Sequence, residues 1–212
     1  MLKQAVEKVD ILSEKDYDKI CTPVSALAMI TTVDAAGRVN AAAFGTVVRN
    51  CHTPMCFEFS VDTFKHTWQN VIATQEFVIN VPSCDPWILE KVVTVGLDFP
   101  PGVNELEKAG LAEIAAKVVK PPRIAECKSH FECTLEWTKN WIGTRATVVG
   151  RVVAASIDKD CIDERGFAIH EKLRPAHSCG GVFGFNRFVE AYKVIEVPFV
   201  YQGDDYKRRD SH

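Results

Sequence analysis

Residues 26–32 read ALAMITT and residues 38–48 read RVNAAAFGTVV, two β-prone runs separated by Asp34-Ala35-Ala36-Gly37. Aspartate caps turns through its side chain, and glycine accepts a positive φ without a Cβ clash. The pattern predicts an antiparallel hairpin with Asn40 on its second arm. Its first strand begins after Thr22-Pro23.

The pairs that follow keep the chain in a sheet. MCFEFSV (55–61) alternates apolar and polar residues and stops at Asp62, after which TFKHTWQNVIATQEF changes to a helical period, with Thr67 or Asp62 as its N-cap. FVINVP reads as a strand closed by Pro82, and Asp85-Pro86 opens a second helix in the favoured order of N-cap and first-turn proline. From Asp98 to Pro122 the chain makes an excursion from the sheet that includes the helical stretch NELEKAGLAEIAAK. HFECTLEW alternates again, and ATVVGRVVAASI holds Gly150 inside a Val-rich run, where a bulge or a barrel bend is expected. DERGFAIHEKLRPAHSCGGVFGF reads as loop and short helix, VEAYKVIEVPFV as a last strand, and GDDYKRRDSH as a frayed tail. Strands outnumber helices and do not alternate with them. The expected class is therefore mainly β, an antiparallel barrel-like sheet with flanking helices, and not the strand-helix alternation of a dinucleotide-binding fold.

A chain of 212 residues, 47% apolar, can bury one core, so residues 1–212 are read as a single domain. A formal net charge of −3 argues against a phosphate backbone as partner, which requires a Lys/Arg-rich face. No apolar run approaches the roughly 20 residues of a membrane helix, and MLKQAVEKVD lacks the basic-then-apolar order of a signal peptide. The protein is thus expected in the cytoplasm, with its eight cysteines as thiols. No C-x-x-C pair occurs, and no metal site is expected. Cys127 and Cys133, an even number of positions apart, are read as two core residues on one strand face.

Two places carry ligand-binding chemistry. Lys65, His66, Thr67 and Asn70 gather a cation and polar groups at the start of a helix, just after a strand that ends near Ser60. Helix N-terminal amides and the macrodipole favour an anion there. Thr31, Thr32 and Asn40 stand beside the small residues Ala41 and Ala42, which let a flat ring approach the backbone. His177, next to Ser178, Cys179 and Gly180-Gly181 in a turn-rich segment, is the candidate for a nicotinamide or a proton. Glu126 and Glu132 fall at even spacing on one strand.

With these residues laid out, the sequence resembles the flavin reductase-like, or flavoredoxin-type, family from about residue 23 to residue 185. PVSALAMITTVDAAGRVN resembles that family's proline, strand, threonines, turn glycine and asparagine, and NAAAFG its N-x-A-P-F-S. KHTWQNVIATQEFVIN is similar nearly position for position to K-D-T-x-x-N-I-x-x-T-x-E-F-V-V-N. PPRIAECKSHFEC and VVGRVV resemble two further strands. The resemblance implies a six-stranded Greek-key split barrel, dimeric, holding one FMN per subunit at or near the interface. It further implies that Thr31, Thr32, Asn40, Ala41 and Ala42 line the ring side. Ser60, Lys65, Thr67 and Asn70, with His66 among them, would serve the ribityl and phosphate side.

Departures from the family pattern include Ala43 for proline, His66 for aspartate, and Phe183 or Phe185 for the aromatic after the glycine pair. The expected function is an FMN-dependent oxidoreductase in which NADH or NADPH reduces the flavin, and the flavin then feeds an acceptor. The alternative is an FMN electron carrier that serves a partner redox protein. A third reading places haem or a deazaflavin on the same scaffold.

Overall fold

The computed structural model describes residues 25–182, 185–191 and 194–195. Pro23, Cys21, Phe183 and the segment 196–212 lie outside them. The first hairpin forms as its turn chemistry demands. β1 (Ser25–Val33) and β2 (Val39–His52) pair antiparallel, with Thr32 opposite Asn40 and Thr31 opposite Ala41. Asp34 Oδ1 accepts from the N–H groups of Ala36 and Arg38, and Gly37 takes φ +81°.

β3 (Met55–Asp62), α1 (His66–Thr74), β4 (Glu76–Val81), α2 (Pro86–Val95) and α3 (Glu105–Ala109) follow. β5 (Glu113–Ile114) and β6 (Arg123–Ile124) make a small separate ladder. β7 (Ser129–Ile142), β8 (Arg145–Ile157), α4 (His170–Leu173), β9 (Ala176–Val182) and β10 (Phe185–Glu190) complete the described chain. The large sheet runs β10-β9-β1-β2-β3-β8-β7-β4, and β4 pairs back onto β1. β1, β2, β3, β8, β7 and β4 therefore close into a six-strand antiparallel barrel, with β9 and β10 as an extension.

β1 is buried on both faces, and its two-residue period sorts its side chains between two cores. Ala28 and Ile30 point into the barrel with Phe59, Phe77, Ile79 and Val148. Leu27 and Met29 point outward beneath α2 and α3, against Ile88, Val92 and Leu106. α1 closes one end of the barrel through Val71.

Several expectations change. Neither Thr67 nor Asp62 caps α1: its N-cap is Lys65, with no side-chain cap bond. Asp62 is drawn instead to the start of β8 and the turn before it, where its carboxylate accepts from Thr144 Oγ1 at 2.9 Å and meets Arg145 at 3.3 Å. The helical stretch after Asn104 stops at Ala109, because Gly110 takes the left-handed φ of +63°. Residues 176–182, expected as loop, form β9. Of the last strand expected over residues 189–200, Val189 and Glu190 end β10 (Phe185–Glu190), and residues 192–193 and 196–200 lie outside the described residues. Cys127 and Cys133 are both buried, but Cys127 precedes β7 and belongs to the outer core, whereas Cys133 lies in the barrel. Burial pushes both thiols well above their usual range. The seven described cysteines are free.

The excursion between α2 and β7 is ordered by carboxylates that collect its backbone amides. Glu132, on β7 and 2% exposed, accepts from Lys117, Val118 and Val119 N–H. Glu126 accepts from Ala112 N–H and Glu76 from Lys120 N–H. Asn80 Oδ1 takes Ile124 N–H at 2.8 Å. A segment with little ladder of its own leaves its backbone amides to find acceptors elsewhere, and these side chains supply them. The two glutamates expected on one strand face are thus both loop anchors, and Glu126 stands outside the strand. Among the described residues no helix is long and apolar enough to cross a membrane.

Candidate functional site

β2 changes neighbours along its length. Residues Val48–His52 pair with β3, while residues 39–47 pair only with β1. The barrel wall therefore parts between the first half of β2 and the end of β3, leaving one edge of β2 open. A cleft of about 540 Å³ occupies this parting, within the range of roughly 300–1,000 Å³ typical of small-molecule sites.

One wall is the small-residue edge Asn40, Ala41, Ala42, Ala43 and Gly45. The facing wall brings Ser60 and Asp62 from β3 and Lys65, His66 and Thr67 from the start of α1. Gly96, Leu97, Asp98, Phe99 and Glu105 form a third side, so the excursion that begins at Asp98 contributes directly to the cleft. At the far end Ser178 of β9 abuts Gly45, where an added Cβ would stand 2.7 Å from the serine Cβ. No larger residue fits there.

Seven of the anticipated residues line this space: Asn40, Ala41, Ala42, Ser60, Lys65, His66 and Thr67. Thr32 and Asn70 lie behind it in a buried polar network. Asn70 Nδ2 donates to Thr32 Oγ1 at 3.0 Å, and Asn40 Nδ2 stands 3.3 Å from both Thr32 Oγ1 and Thr67 Oγ1. The network ties β1, β2 and α1 together at the cleft floor and fixes Asn40. Thr31 faces the other way, as strand alternation requires, and its hydroxyl donates to Pro122 O at 2.5 Å. His177 also lies outside the cleft. It sits on β9 opposite Ala26, its Nδ1 3.3 Å from Pro175 O, and the β9 residue that lies against Gly45 of the cleft wall is its neighbour Ser178.

The charged groups of the cleft are mixed. Lys65 pairs with Asp98, Arg145 pairs with Asp62, and the amides of the first turn of α1 have no partners within the helix. Lys65 Nζ also lies 5.5 Å from the exposed Phe64 ring. Phe64, Phe99, Asp98, Glu105 and Arg145 are cleft residues that local sequence patterns did not single out. They arrive from turns, from the excursion and from β8, and only the folded barrel brings them to β2.

A closed six-strand barrel, parted along one seam with a ligand-sized cleft in the parting, defines a split barrel. The chain belongs to the flavin reductase-like family: the family model for the flavin reductase like domain matches residues 19–205. An uncharacterised protein of Aquifex aeolicus is 32% identical over 191 residues, covering 85% of this chain and 96% of that protein. The structure of nitrilotriacetate monooxygenase component B from Bacillus cereus superposes with TM-score 0.78 at 22% identity, over 92% of this chain and 100% of that one. Flavoredoxin of Desulfovibrio vulgaris does so with TM-score 0.75 at 16% identity, over 91% and 98%. These two likenesses are of fold. The family gives the chain a flavin-related, oxidoreductase-type role.

Proposed function

We propose that the cleft binds FMN and that the protein passes electrons through it from NADH or NADPH to an acceptor. The observation that carries this reading is the meeting, in one cleft, of an open strand edge of small residues with the Lys65 end of α1. The phosphate would sit at the amides of His66 and Thr67 beside Lys65, where charge and dipole both favour an anion. The ring would lie along Ala41, Ala42 and Ala43, whose short side chains let a flat aromatic system reach the backbone. Ser60 would serve the ribityl chain.

A bound flavin supplies hydride acceptance and electron release; the protein supplies position, electronics and exclusion of water. The buried Thr32–Asn40–Asn70–Thr67 network would hold the ring-side wall rigid. A homodimer belongs to the same reading. Trp137, Trp141 and Ile142 of β7 are exposed, an apolar surface of the kind that a subunit interface covers.

The test is absorbance of the FMN-loaded protein on anaerobic addition of NADH or NADPH. Bleaching of the flavin bands supports the reductase. A flavin that binds and stays oxidised with both nucleotides supports the electron carrier, which takes electrons from a partner protein.

A further inference from the structure

Glu105 is an unusual occupant of this cleft. It is only 4% exposed, yet its carboxylate has one hydrogen bond among the described residues: Oε2 accepts from Ala41 N–H at 2.9 Å. No cation of the described chain pairs with it. A carboxylate offers about four acceptor positions, and a buried one left short of donors is costly. No fully buried side-chain oxygen in the described chain lacks a partner, so the unused oxygen of Glu105 opens on the cleft that this residue lines.

The bond to Ala41 changes what the strand edge offers a ligand. An open β2 edge at Ala41 would present a donor; with that N–H taken, the wall presents an acceptor. Ala43, two positions on and on the same edge, keeps an N–H turned toward the cleft. Acceptor and donor thus stand side by side on the wall that would face a ring. The polar edge of oxidised flavin has one N–H, at N3, flanked by two carbonyl oxygens.

Resting on the reading of the cleft as a flavin site, we infer that Glu105 is a positioning and specificity residue that accepts the flavin N3–H, while a ring carbonyl turns toward Ala43 N–H. The carboxylate selects the ring's imide edge and rejects ligands that offer only acceptors there. Its negative charge also opposes electron density arriving on the ring, which lowers the flavin's midpoint potential.

The experiment titrates wild type, Glu105→Gln and Glu105→Ala with FMN and with N3-methyl-FMN, following the quenching of flavin fluorescence. Wild type should bind the methylated flavin about tenfold or more weakly, the size of a lost charge-assisted hydrogen bond. That penalty should shrink in Glu105→Gln and nearly vanish in Glu105→Ala, and the midpoint potential of bound FMN should rise in Glu105→Gln. Equal binding of the two flavins by wild type overturns the inference. So does a methyl penalty that persists undiminished in both variants, which is the result expected if Glu105 holds a ribityl hydroxyl. Should Glu105→Ala fail to fold, the wild-type and Glu105→Gln comparisons decide alone. Failure of wild type to bind FMN at all contradicts the flavin reading instead.

Discussion

Asp98 is the ion-pair partner of Lys65, although 33 positions separate them, and it approaches from the excursion side of the cleft. The aspartate side chain is 84% exposed, so the pair is a weak, solvent-screened one. A phosphate at the start of α1 would compete with it for the same ammonium group. Asp98→Asn should therefore tighten FMN binding about two- to fivefold at low ionic strength, the range of an exposed pair. The gain should fade in high salt. An unchanged or weaker affinity would show that the carboxylate does not contest the site.

Lys65→Ala removes the cation itself. FMN affinity should fall about ten- to a hundredfold, corresponding to a charge-assisted bond of about 1.5–3 kcal/mol. Riboflavin, which lacks the phosphate, should bind wild type and variant alike. A parallel loss for riboflavin would place Lys65 elsewhere on the ligand.

Gly150 of β8 lies under the Phe77 ring, where an added Cβ would stand 2.2 Å from Cζ. Phe77 is fully buried and packed on Phe59, with ring centroids 5.4 Å apart, so it cannot swing aside freely. Gly150→Ala should cost about 1–3 kcal/mol by overpacking. Urea unfolding measures it, and a second change, Phe77→Leu, should recover part of the loss instead of adding to it.

Acid stability should depend on Glu132 and His130. Burial works against the Glu132 carboxylate, but three backbone N–H donors and Arg123 outweigh it and hold the group below its ordinary 4.5. Its contribution is complete above that pH and is lost as pH falls through the lower folded value. Burial likewise lowers His130 from its ordinary 6.5, so stability also declines as pH drops below 6.5 and the unfolded chain takes up the proton first. Glu132→Gln should cost about 1–3 kcal/mol near neutrality, because its amide faces backbone donors, and should flatten the acid limb below pH 4.5. Equal pH profiles for the two proteins would remove Glu132 from the account.

Much of the fold is local and was legible. The Asp34–Gly37 turn fixes the first hairpin, and alternation marks β3 and β7. Gly150 marks a bulge or a barrel bend in the sequence, and the register does break beside it, between Leu135 and Trp137 on β7; the folded barrel adds that the glycine makes room for the Phe77 ring. β9 was missed because AHSCGGV has neither alternation nor β-branched residues before Val182; its pairing with β1 and β10 makes it a strand. The opposite facing of Thr31 and Thr32 follows from strand period alone. Glu105 was beyond local reading: it meets Ala41 across 64 positions, and no spacing signals that contact.

The measurement that tests the central claim most directly is a fluorescence-quenching titration of the protein with FMN and, separately, with riboflavin. The account predicts saturable quenching by FMN at one site per chain, with riboflavin binding at least tenfold more weakly for want of the phosphate at Lys65. Absence of quenching, or equal affinity for the two flavins, would contradict it.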